Sequence, residues 1–187
     1  MKKNILLSGI VILTIVAGCK PSHEKSVNNI QTLEKRLFSP EAVSFSRSTA
    51  DSLMAMYDEF LDAYPADSLS PSFVFKAANV AMNAGNGNRA IGYFNRYLQS
   101  YPDKPKAPLC LFFKAFVYEN VIHDIEQARE NYLLFIEKYP NNEFTRDAQL
   151  ALMNLGKTPE QMVREFDMKR KADSARVADS VARTKKR

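Results

Sequence analysis

The chain has 187 residues, 45% of them hydrophobic and 25% charged, which excludes a wholly disordered or collagen-like polymer and leaves room for one domain. Two cysteines exclude a disulfide-rich scaffold, and two histidines leave little for metal binding or imidazole chemistry. The net charge of +5 is unevenly spread: residues 19–156 carry 14 Lys+Arg against 16 Asp+Glu, while residues 157–187 carry 10 against 5, so the basicity sits at the C-terminus and no nucleic-acid interface is expected on the body.

The first residues read as an address. Lys2 and Lys3 precede an apolar run over 5–16, too short for a permanent span of about 20 residues and right for the hydrophobic part of a secretory signal. Val16-Ala17-Gly18-Cys19 follows. This resembles the lipobox of bacterial lipoproteins, which implies removal of residues 1–18 and acylation of Cys19. Three acyl chains on one cysteine would hold the protein at a membrane, because each buried CH₂ adds about 0.8 kcal/mol. Lys20 rather than aspartate follows the cysteine. In the resembled lipoproteins that implies the outer membrane, and the scarcity of acidic residues just after Cys19 implies its periplasmic face.

Residues 19–47 are expected to tether the lipid to the domain, with one short helix over 28–38 carrying Ile30, Leu33 and Leu37 at helical intervals. Leu53, Tyr57, Phe60, Leu61 and Tyr64 then line one helix face, ended by Pro65. Ser70-Pro71 reads as N-cap and first residue of the next helix. The turn at Gly85-Asn86-Gly87 tolerates positive φ. Ala90, Ile91, Phe94, Tyr97 and Leu98 mark a further helix, and others are expected over 109–122, 124–138 and up to Leu155, with Gly156 as a stop. Thr158-Pro159-Glu160-Gln161 predicts a capped start for a last helix. Beyond Phe166 the apolar side chains shrink, and residues 167–187 are expected to form a basic tail, helical or disordered.

An internal repeat organises residues 48–166. Phe75-Lys76-Ala77 recurs as Phe113-Lys114-Ala115, and Ala90, Phe94, Tyr97 and Tyr101-Pro102 recur 38 residues later as Ala128, Tyr132, Phe135 and Tyr139-Pro140. A half-copy ends at Tyr64-Pro65, with Leu53 where alanine should stand. The pattern resembles the tetratricopeptide repeat, whose unit is a helical hairpin with small residues in helix A (here Ala77 and Ala115) and an alanine then an aromatic in helix B. The long spacing resembles the barrel-assembly lipoprotein and periplasmic division-coordinator families. The resemblance implies an all-α helical solenoid of about three helix pairs. It also implies a scaffold function, with envelope or membrane proteins as partners and a role in outer-membrane protein assembly.

No side-chain constellation points to an enzyme. Asp58, Glu59 and Asp62 lie on one helix side and read as a solvated face, since general acid–base work needs carboxylates converging on a pocket. His123, beside Asp124, has no second histidine near it for a metal site. Cys110, among Leu109, Leu111 and Phe112, reads as a small buried hydrophobe. No glycine-rich phosphate loop is present, so neither a cofactor nor a metal is expected. A partner peptide or helix would lie along the stacked A helices, where spacing places Lys76, Asn79, Asn83, Lys114, Tyr118 and Glu119. The alternative is binding of an envelope polymer, peptidoglycan or lipopolysaccharide, through the basic tail. The sequence leaves the oligomeric state open.

Overall fold

A computed structural model describes residues 22–39 and 45–185; the signal segment and Cys19 lie outside them. Among the described residues there are eight α-helices and no strand. They are α1 (His23–Leu37), α2 (Arg47–Ala63), α3 (Ser70–Asn83), α4 (Gly87–Ser100), α5 (Ala107–Val117), α6 (Ile125–Lys138), α7 (Thr145–Asn154) and α8 (Pro159–Lys185), with a π-helical turn at Tyr118–Ile122. Each helix from α1 to α6 packs on its successor. The result is a solenoid of three hairpins, α1–α2, α3–α4 and α5–α6, followed by α7 and a projecting α8.

Two kinds of helix alternate, and from α2 to α7 their starts tell them apart, α1 being an A helix that is itself capped, by Ser22. The second helix of each hairpin opens on a side-chain cap: Ser46 accepts from the Thr49 amide, Asn86 from Arg89 and Asp124 from Gln127. The first helices α3, α5 and α7 open without one. This corrects the cap expected at Ser70. That residue is already helical and buried, and its hydroxyl donates 2.6 Å to the Tyr64 carbonyl, tying the helix to the end of α2. Thr145 repeats the bond to Tyr139 at 2.8 Å.

The linkers after α2, α4 and α6 are three copies of one loop. Tyr64, Tyr101 and Tyr139 close their helices with nearly the same backbone, φ near −133°, −137° and −131°. Each carbonyl accepts from the amide three residues on, and the carbonyl of that residue accepts in turn from the amide three further on. Proline after each tyrosine fits because it can neither extend the helix nor donate there.

Helix α1 is more than a tether. It starts at His23, earlier than expected, with Ser22 capping the Lys25 amide. Ile30 and Leu37 are buried in the same core as α2 and α3. His23 packs at a tilt on Phe60 and edge-on to Tyr64, and meets Asp67 at 3.0 Å. The half-copy ending at Tyr64 therefore has its helix A: α1 supplies it, with a longer connection to α2.

The π turn explains the repeat length. Across α3 and α5 the structure aligns residues 37 apart: Ser70 with Ala107, Ala78 with Ala115 and Val80 with Val117, all buried in both copies. After the π turn the offset is 38, as Asn86 and Asp124 both cap and Ala90 and Ala128 are both fully buried. One residue has been inserted, and a widened turn absorbs it. The backbone records the same count: the Asn86 amide bonds back to Ala81, five residues away, and the Asp124 amide to Tyr118, six away. The small helix-A residue matching Ala115 is thus Ala78 rather than Ala77, and Lys114 stands in register with the buried Ala77.

Positive φ marks the turn between the two helices of a pair: Gly85 at 73°, His123 at 62° and Gly156 at 78°. His123 holds a left-handed position where glycine is usual; its ring nitrogen Nδ1 lies 3.2 Å from the Glu119 carbonyl oxygen. Gly87 has a different reason. A Cβ there would stand 2.6 Å from Cγ1 of Ile122 and 3.1 Å from Val121, so glycine lets the π turn seat on the start of α4.

Cys110 is fully buried and free. Burial pushes its thiol from the ordinary 9.0 up to about 12. The Tyr57 and Tyr132 hydroxyls are also raised, by burial first and then by the carboxylates to which they donate. Groups whose protonated form the fold favours stabilise it fully below their unfolded pKa, and the contribution fades as pH climbs through the folded value. The urea midpoint is therefore expected to fall between pH 9 and about 12, and Cys110→Ser should shrink that fall.

Candidate protein-binding surface

The helix-B aromatics are core. Tyr57, Phe94 and Tyr132 are essentially inaccessible, as are Phe60, Tyr97 and Phe135 one turn on. Aromatic rings bury large areas, but a tyrosine hydroxyl inside needs a partner. For Tyr57 and Tyr132 the structure supplies a carboxylate. Tyr57 donates 2.6 Å to Oε1 of Glu34, and Tyr132 donates 2.8 Å to Oε2 of Glu119. The middle unit has Phe94 and needs none. This pairing was hidden in the sequence because Glu34 stands 23 residues from Tyr57 and Glu119 only 13 from Tyr132.

That arrangement decides the chemistry open to several candidate groove residues. The Lys76 ammonium donates to both oxygens of Glu34, at 2.9 and 2.8 Å, so Glu34 joins α1, α2 and α3. Glu119 is engaged by Tyr132. Asn79 donates to the Phe75 carbonyl of its own helix at 2.8 Å, while Asn83 is exposed at the end of α3. Tyr118 lies half-buried in the π turn, its hydroxyl raised by burial and then by Asp124 and Glu130. Lys114 is half-buried, and the loss of water lowers its pKa. The structure joins Lys76 to Glu34 and Glu119 to Tyr132, and it does not gather the six candidates into one cluster.

On the helix-B side, Asp58 does more than face solvent, contrary to the sequence expectation. It accepts from Arg89 at 2.6 Å and from the Tyr93 hydroxyl at 2.7 Å, linking α2 to α4. Arg96 reaches back to the Leu61 carbonyl at 3.1 Å and to Asp62 at 3.6 Å. Such half-exposed pairs are worth about 1 kcal/mol or less; they set the alignment of neighbouring helices. The carboxylates there serve cationic and phenolic partners and do not converge on a pocket.

A polar cleft of about 450 Å³ opens beside the α3–α4 turn, lined by Arg47, Asp51, Asn86, Asn88, Val121 and Ile122. Among the described residues no group of three or more His, Cys, Asp or Glu side chains is placed to hold a metal ion, and no helix is long and apolar enough to cross a membrane.

Residues 74–104, from within α3 to the loop after α4, match the model of the tetratricopeptide repeat family. The chain is also similar to the outer membrane protein assembly factor BamD of Caulobacter vibrioides, with 23% identity over 159 residues. The match takes in 79% of this chain and 51% of the relative, so the chain spans about half the length of that protein.

Proposed function

We propose that this protein is a lipid-anchored tetratricopeptide-repeat scaffold that holds other proteins at the bacterial envelope, on the periplasmic face of the outer membrane, and serves outer-membrane protein assembly. The observation that carries the reading is the stack of three like hairpins, in which the acids and hydroxyls most suggestive of chemistry are instead bonded between helices. A stack of this kind offers an extended surface of A helices for a peptide or helix. Exposed Asn83 and half-buried Lys114 and Tyr118 are the groove positions least tied up inside the fold. Similarity to an assembly factor named for the outer membrane supports the location and the kind of partner.

The test is photo-crosslinking in intact cells from a benzophenone side chain placed at Asn83 or Lys114. Adducts with envelope proteins are expected from both positions, with none from exposed Glu59 on α2; equal labelling from all three sites would remove the groove. Anchoring has a separate readout. The Cys19→Ala chain is expected to leave the membrane fraction for the soluble one, and its retention with membranes would rule out the acyl anchor.

A second reading is recognition of an anionic envelope polymer by the tail. It is favoured by the exposed Lys169, Arg170 and Lys171 on a helix that buries none of its described side chains. Deleting residues 168–187 should abolish co-sedimentation with peptidoglycan if this holds, and unchanged co-sedimentation would dismiss it.

A further inference from the structure

We propose that the far end of the solenoid is an interface between two copies of this chain, in which α8 of each copy takes the place of the missing fourth helix B on α7 of the other. Helix α7 is an A helix without its partner. It aligns with α5 at an offset of 38, so that Thr145 matches Ala107, Ala148 matches Cys110 and Met153 matches Ala115. Ala115 and its counterpart Ala78 are wholly buried against their own B helices, whereas Met153 is 66% exposed and Leu150 beside it 45%. On α6, Leu133 is 53% exposed. It stands at the position through which Asp58 of α2 reaches the next B helix, so its outward face also awaits a fourth one. Apolar exposure grouped at one end of a repeat stack marks a surface that another element covers.

The occupant is written in α8. Thr158 accepts from the Gln161 amide and Gln161 answers to the Thr158 amide at 2.8 Å, a side-chain-capped start shared with the B helices α2, α4 and α6, absent from α3, α5 and α7, and found on one A helix, α1. Phe94 and Tyr132 stand eight residues after their caps, and so does Phe166; four residues after the cap α8 carries Met162 where α4 and α6 carry Ala90 and Ala128. Yet Phe166 is 66% exposed. Helix α8 thus starts as a B helix does, with its aromatic in register with α7, while lying away from it.

The connecting turn directs α8 outward. In the α3–α4 hairpin Ala84 keeps ψ near −4° before Gly85. Here Leu155 has φ −56° and ψ 122°, Gly156 has φ 78°, and the Lys157 amide bonds the Asn154 carbonyl at 3.0 Å, which is a type II turn. At 27 residues α8 is almost twice as long as α4 or α6, about 40 Å at 1.5 Å per residue, enough to cross to a second molecule. A two-fold pair satisfies both deficits at once, with each copy giving a B helix and receiving one. Charge agrees, since the basic residues 157–187 would lie on the other copy's slightly acidic body.

The test uses the full chain in mild detergent. Multi-angle light scattering is expected to give a protein mass twice that of one processed chain, returning to the single-chain value in Phe166→Asp. Oxidising a mixture of Met153→Cys and Phe166→Cys chains should yield a disulfide dimer containing one of each, with the unsubstituted chain as the control for Cys19 and Cys110. Four outcomes would overturn the proposal. These are a single-chain mass, a disulfide formed only inside a chain carrying both substitutions (α8 closing on its own α7), a dimer linked only through two Phe166→Cys positions, or a dimer with no link between positions 153 and 166.

Discussion

Phe94→Ala is expected to destabilise the protein by about 3–5 kcal/mol, whereas Phe166→Ala should change its stability by less than about 0.5 kcal/mol. The two phenylalanines stand at the same place in their repeat, eight residues after a helix cap. What separates them is tertiary. Phe94 is fully buried in the main core, within 6.3 Å of the Phe113 ring, and its removal leaves a cavity that fixed helices cannot close. Phe166 is mostly in water. Urea titration followed by circular dichroism gives both values. At concentrations where the copies pair, Phe166→Ala would add a dependence on protein concentration that Phe94→Ala lacks. Equal losses in dilute protein would mean that α8 packs against the body and would refute the open end described above.

Glu34→Ala is expected to cost about 2–3 kcal/mol, more than a half-exposed ion pair alone would suggest. The carboxylate has two duties of unequal value. Its bond to Lys76, whose ammonium is well exposed, contributes about 0–1 kcal/mol. Its bond to Tyr57 matters more, because the hydroxyl of a fully buried ring would otherwise have no acceptor. Tyr57→Phe should therefore rescue much of the loss. In the cycle formed with Glu34→Ala the double variant is expected to be more stable than the sum of the singles by about 1 kcal/mol or more. Lys76→Ala should fall near the lower bound. Hydrogen exchange offers an independent check: α1 amides should lose protection first in Glu34→Ala, since Glu34 ties that helix to both α2 and α3. Strict additivity of Glu34→Ala and Tyr57→Phe would show that the hydrogen bond carries no energy.

The exposed carboxylates show why side-chain roles were harder to read than helices. Asp58 shares a helix face with Glu59 and Asp62, and periodicity places all three outward. Its partners Arg89 and Tyr93 lie 31 and 35 residues away, a separation that only the stacking of successive hairpins bridges. The same holds for Glu34, which sits in a segment whose polar composition suggested a tether. Ile30, Leu33 and Leu37 showed that a helix was there, but three apolar residues cannot say what they pack against. The π turn was invisible for another reason. A one-residue insertion leaves the aromatic and proline matches at a clean offset of 38, so Phe113-Lys114-Ala115 aligns by letter with Phe75-Lys76-Ala77 although in space Ala115 takes the place of Ala78.

The sequence by itself determined the helices, their breaks and the repetition of an aromatic-bearing hairpin, because those follow from local chemistry: apolar spacing near 3.6 residues, a cap at Thr158, glycines at turns and proline after each closing tyrosine. Only the tertiary structure decided which acid serves which hydroxyl, that α1 completes the first hairpin, and that α8, though it starts as a helix B does, lies away from the helix A before it. Those outcomes depend on contacts between residues far apart in the chain and on a single backbone angle at Leu155. Local preferences are nearly indifferent to that angle, and it turns the last helix away from the stack.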